Sequence, residues 1–292
     1  MAEETTKQQE GAQKKERVFV NLPRALYRPA NSEYTIVRHD AAGNVVPEKR
    51  TSDGYNRYMI PSGVKVGDQY LSGATVIVDD DYVKKLHGDM LGFSYLKGQQ
   101  VTVSKPAFAD GHYVHDEDGR QVYDRFKVDA AELAEECAKL TFLVLPASYA
   151  RRGIEYTKAD GTIGKFNSVR ITPNVQVGDN DLSNAQIYPK YIMHGYRSEN
   201  AVVVPLLKDR VLKVQPAKTP EGEWNNGHEH DIDVEPTKLV AAVNKAHQEY
   251  HKSERKEDAP AKAESQVVSP AIDDDIEQMF APEEPKKGGA HL

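Results

Sequence analysis

Tyr55-Asn56-Arg57-Tyr58-Met59-Ile60-Pro61-Ser62-Gly63-Val64-Lys65-Val66-Gly67-Asp68-Gln69-Tyr70-Leu71-Ser72-Gly73-Ala74 returns 111 residues later as Phe166-Asn167-Ser168-Val169-Arg170-Ile171-Thr172-Pro173-Asn174-Val175-Gln176-Val177-Gly178-Asp179-Asn180-Asp181-Leu182-Ser183-Asn184-Ala185. Nine of the twenty aligned positions are identical, where average residue usage supplies about one or two by chance. The segment is a duplication, and it extends in both directions. Upstream, Phe19 to Pro23 answers Phe142 to Pro146, and Glu33-Tyr34-Thr35 answers Glu155-Tyr156-Thr157. Downstream, Lys97 to Val103 answers Lys208 to Val214, Gly111-His112-Tyr113 answers Gly222-Glu223-Trp224, and Val128 to Leu133 answers Val234 to Leu239. Repeats of this length set the domain plan before any local structure is assigned. Two units are expected, 17–139 and 140–250, between an N-terminal arm, 1–16, and a tail, 251–292.

Within a unit the pattern predicts a mainly β fold. Val18 to Leu22, Thr141 to Leu145, Tyr55 to Ile60, Ala74 to Val78 and Leu91 to Val103 are apolar, β-branched or aromatic runs punctuated by Gly, Asn, Asp and Pro, the marks of short strands. Asp80 to His87 is expected to supply one or two helical turns. A helix should close each unit, Ala130 to Leu140 and Thr237 to Tyr250, since Leu133, Cys137 and Leu140, or Leu239, Val243 and Ala246, share one face. Five or so strands with a short helix suit a small closed barrel.

The termini read differently. Met1 to Arg17 has no aliphatic or aromatic residue beyond Met1 and Ala, and Lys252 to Leu292 is dominated by Lys, Glu, Asp, Ala and Pro; both are expected to be disordered. From Pro216 onward there are 9 Lys plus Arg and 17 Asp plus Glu, leaving 29 and 28 of the chain's 38 and 45 for the first 215 residues. A neutral body with an acidic end argues against strong duplex binding through bulk positive potential, though a local basic groove is compatible with it. No run approaches the 18 or so apolar residues of a membrane span. The lone Cys137 has no disulfide or zinc partner, so a soluble, cytoplasmic protein with no membrane partner is expected.

The sequence resembles the bacterial and phage-type single-stranded DNA-binding proteins. Three features carry the resemblance. Asp81-Tyr82-Val83-Lys84-Lys85-Leu86 precedes the strand Leu96 to Val103 in a strand, helix, strand order; a long hairpin, Phe108 to Gly119, returns through Arg120 to Val128; and the tail holds an acidic, apolar segment, Ile272-Asp273-Asp274-Asp275-Ile276-Glu277-Gln278-Met279-Phe280. Twelve residues follow Phe280, whereas that family's acidic tip is normally the chain terminus. The resemblance implies two tandem OB-fold-like five-stranded barrels and single-stranded DNA as the partner. It also implies recruitment of replication or repair proteins through Asp273, Asp274, Asp275, Ile276, Met279 and Phe280. The family commonly presents four barrels, which for a two-barrel chain implies a homodimer, and a phage or mobile element is an expected source.

Binding a single strand without reading its bases needs flat rings for stacking and cations along the backbone. Rings kept in both units are the candidates: Tyr113 with Trp224, Tyr34 with Tyr156, and Tyr55 with Phe166. Tyr113 and Trp224 lie in polar hairpins with little core to enter and are preferred. For Tyr34, Tyr55, Tyr156 and Phe166, in strand-like runs, core packing is the stronger reading. Among Arg24, Arg28, Arg57, Lys97, Lys105, Arg151, Arg152, Arg170, Lys208 and Arg210, the pairs Arg28 with Arg151 and Lys97 with Lys208 recur. His112, His115, Asp116 and Asp118, and His228, His230, Asp231 and Asp233, offer metal-ligand types. Their positions do not superimpose between the units, so turn chemistry is the favoured reading and neither metal nor cofactor is expected. No phosphate-cradling, dinucleotide, zinc-protease or nucleophile-elbow motif occurs, so a binding protein is expected, not an enzyme. A structural or adaptor protein using tandem barrels to hold other proteins is the alternative.

Overall fold

The structure, a computed structural model, describes residues 16–39, 45–86, 88–109, 112–196 and 201–257. It divides into one unit over Met1–His251 and another over Lys252–Leu292. In the first repeat the strands are β1 (Arg17–Pro23), β2 (Tyr27–Arg28), β3 (Glu33–His39), β4 (Val45–Thr51), β5 (Asn56–Met59), β6 (Lys65–Val66), β7 (Gln69–Tyr70), β8 (Thr75–Val78), β9 (Val83–Lys85), β10 (Met90–Leu96), β11 (Gln100–Pro106), β12 (Phe108–Ala109), β13 (His112–Tyr113) and β14 (Tyr123–Asp129), followed by helix α1 (Ala130–Ala138). In the second they are β15 (Leu140–Pro146), β16 (Ala150–Thr157), β17 (Ile163–Arg170), β18 (Gln176–Val177), β19 (Asn180–Asp181), β20 (Gln186–Ile187), β21 (Met193–His194), β22 (Ala201–Leu207), β23 (Leu212–Val214) and β24 (Ile232–Val234), followed by α2 (Pro236–Glu257).

The chain is mainly β, as its runs of β-branched residues predict. In the first repeat a three-stranded sheet, β1-β10-β9, and a five-stranded sheet, β14-β11-β8-β5-β2, enclose a core. Strand alternation puts Tyr58, Val76 and Val103 inward in one cross-strand row. There Tyr58 stacks on Phe93 at 4.3 Å and shares a 2.9 Å hydrogen bond with Tyr95, which satisfies two phenols that would otherwise be buried without partners. The second repeat pairs β15-β22-β21 and β16-β17-β20. Reciprocal 2.8 Å bonds between Gln186 and Gln215 join β20 to the β23-β24 pair, giving the same five-strand order.

Register as well as order repeats. Val20 opposite Phe93 becomes Leu143 opposite Val204, and Tyr58 opposite Val76 becomes Val169 opposite Ile187. Lys65 opposite Tyr70 becomes Gln176 opposite Asp181. Both helices start where the sequence provides a start. The Asp129 carboxylate accepts from the amides of Ala131 and Glu132 at 2.8 and 3.3 Å, and Pro236 occupies the first position of α2, where a missing N–H costs nothing.

Three expectations change. The helical turns at Asp80 to His87 shrink to one 3-10 turn, Asp80–Tyr82, because Val83–Lys85 is captured as an edge strand by β10. The expected five-stranded barrels are sheet pairs: no ladder among the described residues closes either five-stranded sheet on itself. Finally, α2 runs on to Glu257, past the boundary expected at Tyr250. The tail residues Asp273, Asp274, Asp275, Ile276, Met279 and Phe280 lie outside the described residues.

The repeats meet through a sheet buried on both faces. On β15, Leu143 and Leu145 join the second core while Leu140 and Phe142 join the first; on β22, Val202 and Val204 face the second core and Val203 the first. Met193 of β21 also enters the first core, with its sulfur accepting from the Ser62 amide at 3.1 Å. Beside it the Tyr196 amide donates to the Ala25 carbonyl at 2.7 Å. Gly195 permits that approach, since a Cβ there would lie 2.9 Å from both the Cβ and the carbonyl oxygen of Ala25.

Candidate nucleic-acid interface

The outward face of the first five-stranded sheet carries a groove of about 470 Å³. Strand alternation that sends Tyr58, Val76 and Val103 inward sends Arg57, Thr75, Ser104 and Arg125 out, and Arg28 sits opposite Arg57 on the edge strand. Asp53 lies between two of these cations: Arg57 Nη2 reaches its Oδ2 at 2.5 Å and Arg28 Nη2 its Oδ1 at 3.1 Å. Partial burial alone would raise the Asp53 pKa, but the hydrogen bond and charge of Arg57, with the charge of Arg28, hold it below the usual carboxylate value. Arg125 has no ion pair among the described residues, and the buried Nε of Arg28 has no hydrogen-bond partner there.

Three tyrosines complete the groove: Tyr34, Tyr123 and Tyr196. Tyr196 comes from the second repeat. The Arg28 guanidinium carbon lies 4.9 Å from the Tyr34 ring centroid and 5.5 Å from that of Tyr196, and the two rings meet edge-on at 6.2 Å, distances at which a cation is attracted to a ring face. Burial pushes the Tyr196 phenol up to about 12, with Arg28 and Arg57 pulling the other way.

The corresponding sheet of the second repeat presents rings instead. Tyr156, Phe166, Tyr188 and His228 form a ladder with centroid spacings of 5.8, 5.7 and 5.3 Å, each pair edge-on, an arrangement favoured by ring quadrupoles. Its polar end is fixed. The Tyr188 hydroxyl donates to Gln215 Oε1, Gln215 Nε2 donates to the Gly227 carbonyl at 2.7 Å, and His228 Nδ1 is 3.2 Å from Asp231 Oδ2. Burial, with the charge of Asp231, raises the Tyr188 pKa. Gly164 makes room for Tyr156 across the strand pair: a Cβ there would fall 2.5 Å from the ring.

The structure sorts the sequence-predicted residues. Tyr113 and Trp224 are exposed, at 59% and 73%, each in a short antiparallel pairing: Tyr113 pairs with Phe108, Trp224 with Lys218. Tyr55 and Tyr156, expected to favour the core, are instead exposed: Tyr156 points outward on β16, and Tyr55 lies in the bend just before β5. Tyr34 and Phe166 are half-buried in the groove wall and the ladder. Arg28 lines the groove and Arg151 is exposed on the matching edge strand. Lys97 and Lys208 line neither: Lys97 pairs with Glu16 at 2.9 Å, and Lys208 donates to the Ala138 carbonyl at 2.7 Å, completing the end of α1.

Sequence reasoning missed Tyr123, Arg125, Tyr188 and Tyr196. The spacing of Tyr123 and Arg125, two apart on a strand whose Val128 points inward, was a usable signal. Tyr188 and Tyr196 had none, since neither position is aromatic in the first repeat. Among the described residues no three metal-ligating groups converge. Asp116 Oδ1 accepts from the amides of Asp118 and Arg120, which is turn chemistry. No helix among the described residues is long and apolar enough to cross a membrane. Comparison with protein-family models, with curated proteins and with solved structures gave no match.

Proposed function

We propose that the chain binds single-stranded DNA without sequence preference, by stacking bases on exposed rings and steering the backbone with arginines. The observation that carries the reading is the uncovered ladder Tyr156-Phe166-Tyr188-His228. Large rings lined up on one sheet face suit unpaired bases, because every base has a flat face whatever its identity. The arginine groove of the first repeat supplies a local excess of positive charge on a body whose net charge is near neutral. In this reading each sheet pair takes the part of an OB-like domain without a closed barrel, the two act in tandem, and the acidic tail segment recruits replication or repair proteins.

The test is a titration of the full chain with oligo-dT, followed by filter retention and Trp224 emission. A saturable complex is expected at low salt, and its affinity should fall as salt rises, because neutralised phosphates release counterions. Changing both Tyr113 and Trp224 to Ala should weaken it by roughly 1–3 kcal/mol per lost base contact, read by filter retention. Absence of any complex at low salt overturns the proposal and leaves protein adaptor as the reading.

A further inference from the structure

The lining charges of the first-repeat groove do not balance. Three guanidiniums, Arg28, Arg57 and Arg125, face one carboxylate, Asp53, an excess of two positive charges. A phosphodiester within a strand brings one negative charge; a phosphomonoester brings about −1.5 to −2 at neutral pH, with three strong acceptor oxygens. Arg28 and Arg57 already converge on one oxyanion, the Asp53 carboxylate. The third cation, Arg125, lines the same groove and has no ion pair among the described residues, so its donors remain for a further oxyanion. The volume, about 470 Å³, is in the range that holds one small ligand, and Tyr34, Tyr123 and Tyr196 supply rings beside the cations.

The second repeat does not carry this chemistry. Strand register puts Ser168 at the place of Arg57, and carrying the β23-β24 register one residue further puts Asp231 at the place of Arg125. Among the described residues Tyr196 has no counterpart on the second sheet either. We infer that the groove is a site, one per chain, for a phosphomonoester joined to a flat base: the phosphorylated end of a DNA strand or a free nucleoside monophosphate. The inference rests on the nucleic-acid reading for the base; the phosphate follows from the charges alone.

Calorimetry on the full chain at low salt would compare thymidine with thymidine 5′-monophosphate, and a short oligo-dT ending in a 5′-hydroxyl with the same oligo carrying a 5′-phosphate or a 3′-phosphate. The phosphate should raise affinity by at least about tenfold, the gain of one charge-assisted hydrogen bond, at one site per chain. Arg125→Gln should shrink that gain, with Trp224 emission and thermal melting confirming the fold. A gain on both mononucleotide and oligo identifies strand ends as the source; a gain on the mononucleotide alone identifies the free nucleotide. Affinities within twofold in every pair, or a gain unchanged by Arg125→Gln, overturn the inference. Failure of long hydroxyl-ended oligo-dT to bind, with the mononucleotide gain intact, would sink the single-strand reading and leave the phosphate site standing.

Discussion

At matching outward positions the two repeats carry Arg57 and Ser168, Ile77 and Tyr188, Arg125 and Asp231; at matching inward positions they carry Val76 and Ile187, Val103 and Val214, Leu133 and Leu239. Inward residues change within the apolar class because volume and the absence of polar atoms are constrained by packing. Outward residues change charge and ring character freely, so one scaffold yields a cationic groove in the first copy and a ring ladder in the second. The chemical differences between the two copies lie mainly on the solvent faces of these sheets.

One inward difference breaks that rule and gives the largest expected effect. The first core contains ionisable groups, Tyr58, Tyr95 and Cys137, where the second has Val169, Leu206 and Val243. Burial pushes Tyr95 and Cys137 each up to about 12 from ordinary values of 10.0 and 9.0, and Tyr58 is also raised. Folding favours the neutral forms. For Tyr95 and Cys137 that stabilisation is therefore intact below the ordinary values and is lost as pH climbs from about 9 through 12, on the order of 3 kcal/mol for each of these two. In an alkaline titration tyrosinate absorbance and Cys137 thiol reactivity should rise together as the first core opens. Hydrogen exchange should show the second core opening later, and simultaneous opening would contradict the contrast.

The next contrast pairs two phenylalanines. Phe142 and Phe19 hold equivalent positions on β15 and β1, yet Phe142 is 7% exposed, against the first repeat, and Phe19 is 38% exposed beneath Lys84. Phe142→Ala should cost about 3–5 kcal/mol in urea unfolding, and Phe19→Ala less than about 1 kcal/mol. Smaller than the loss at Phe142 is the expected effect on binding of Tyr188→Ala, roughly 1–3 kcal/mol on oligo-dT affinity. Ile77→Ala, its counterpart, should leave that affinity within experimental scatter; equal losses would mean that the ladder is not the stacking surface.

The junction between the repeats was written in the sequence more plainly than the site. Ala201 to Leu207 is an unbroken apolar run, whereas its counterpart Met90 to Leu96 is interrupted by Gly92 and Ser94; an unbroken run is the pattern of a strand covered on both sides. The repeat unit and its closing helices were equally legible, because nine identities and helical spacing are local signals. Tyr196 was not: its place beside Arg28 depends on the packing of one repeat against the other, which no pattern within a single repeat encodes. For Tyr55 and Tyr156 the sequence leaves stacking and core packing both open, because strand-like runs do not reveal which parity faces inward until the register is known.

Helix α1 ends at Ala138 and β15 begins at Leu140, so one residue, Lys139, separates the copies. The Lys208 amide ties that residue down through a 2.9 Å bond to its carbonyl. So short a connection, closed by an apolar contact, leaves no hinge. A ligand spanning both sheets must adopt a spacing set in advance by the protein, and its occluded length should stay constant as salt and protein concentration change.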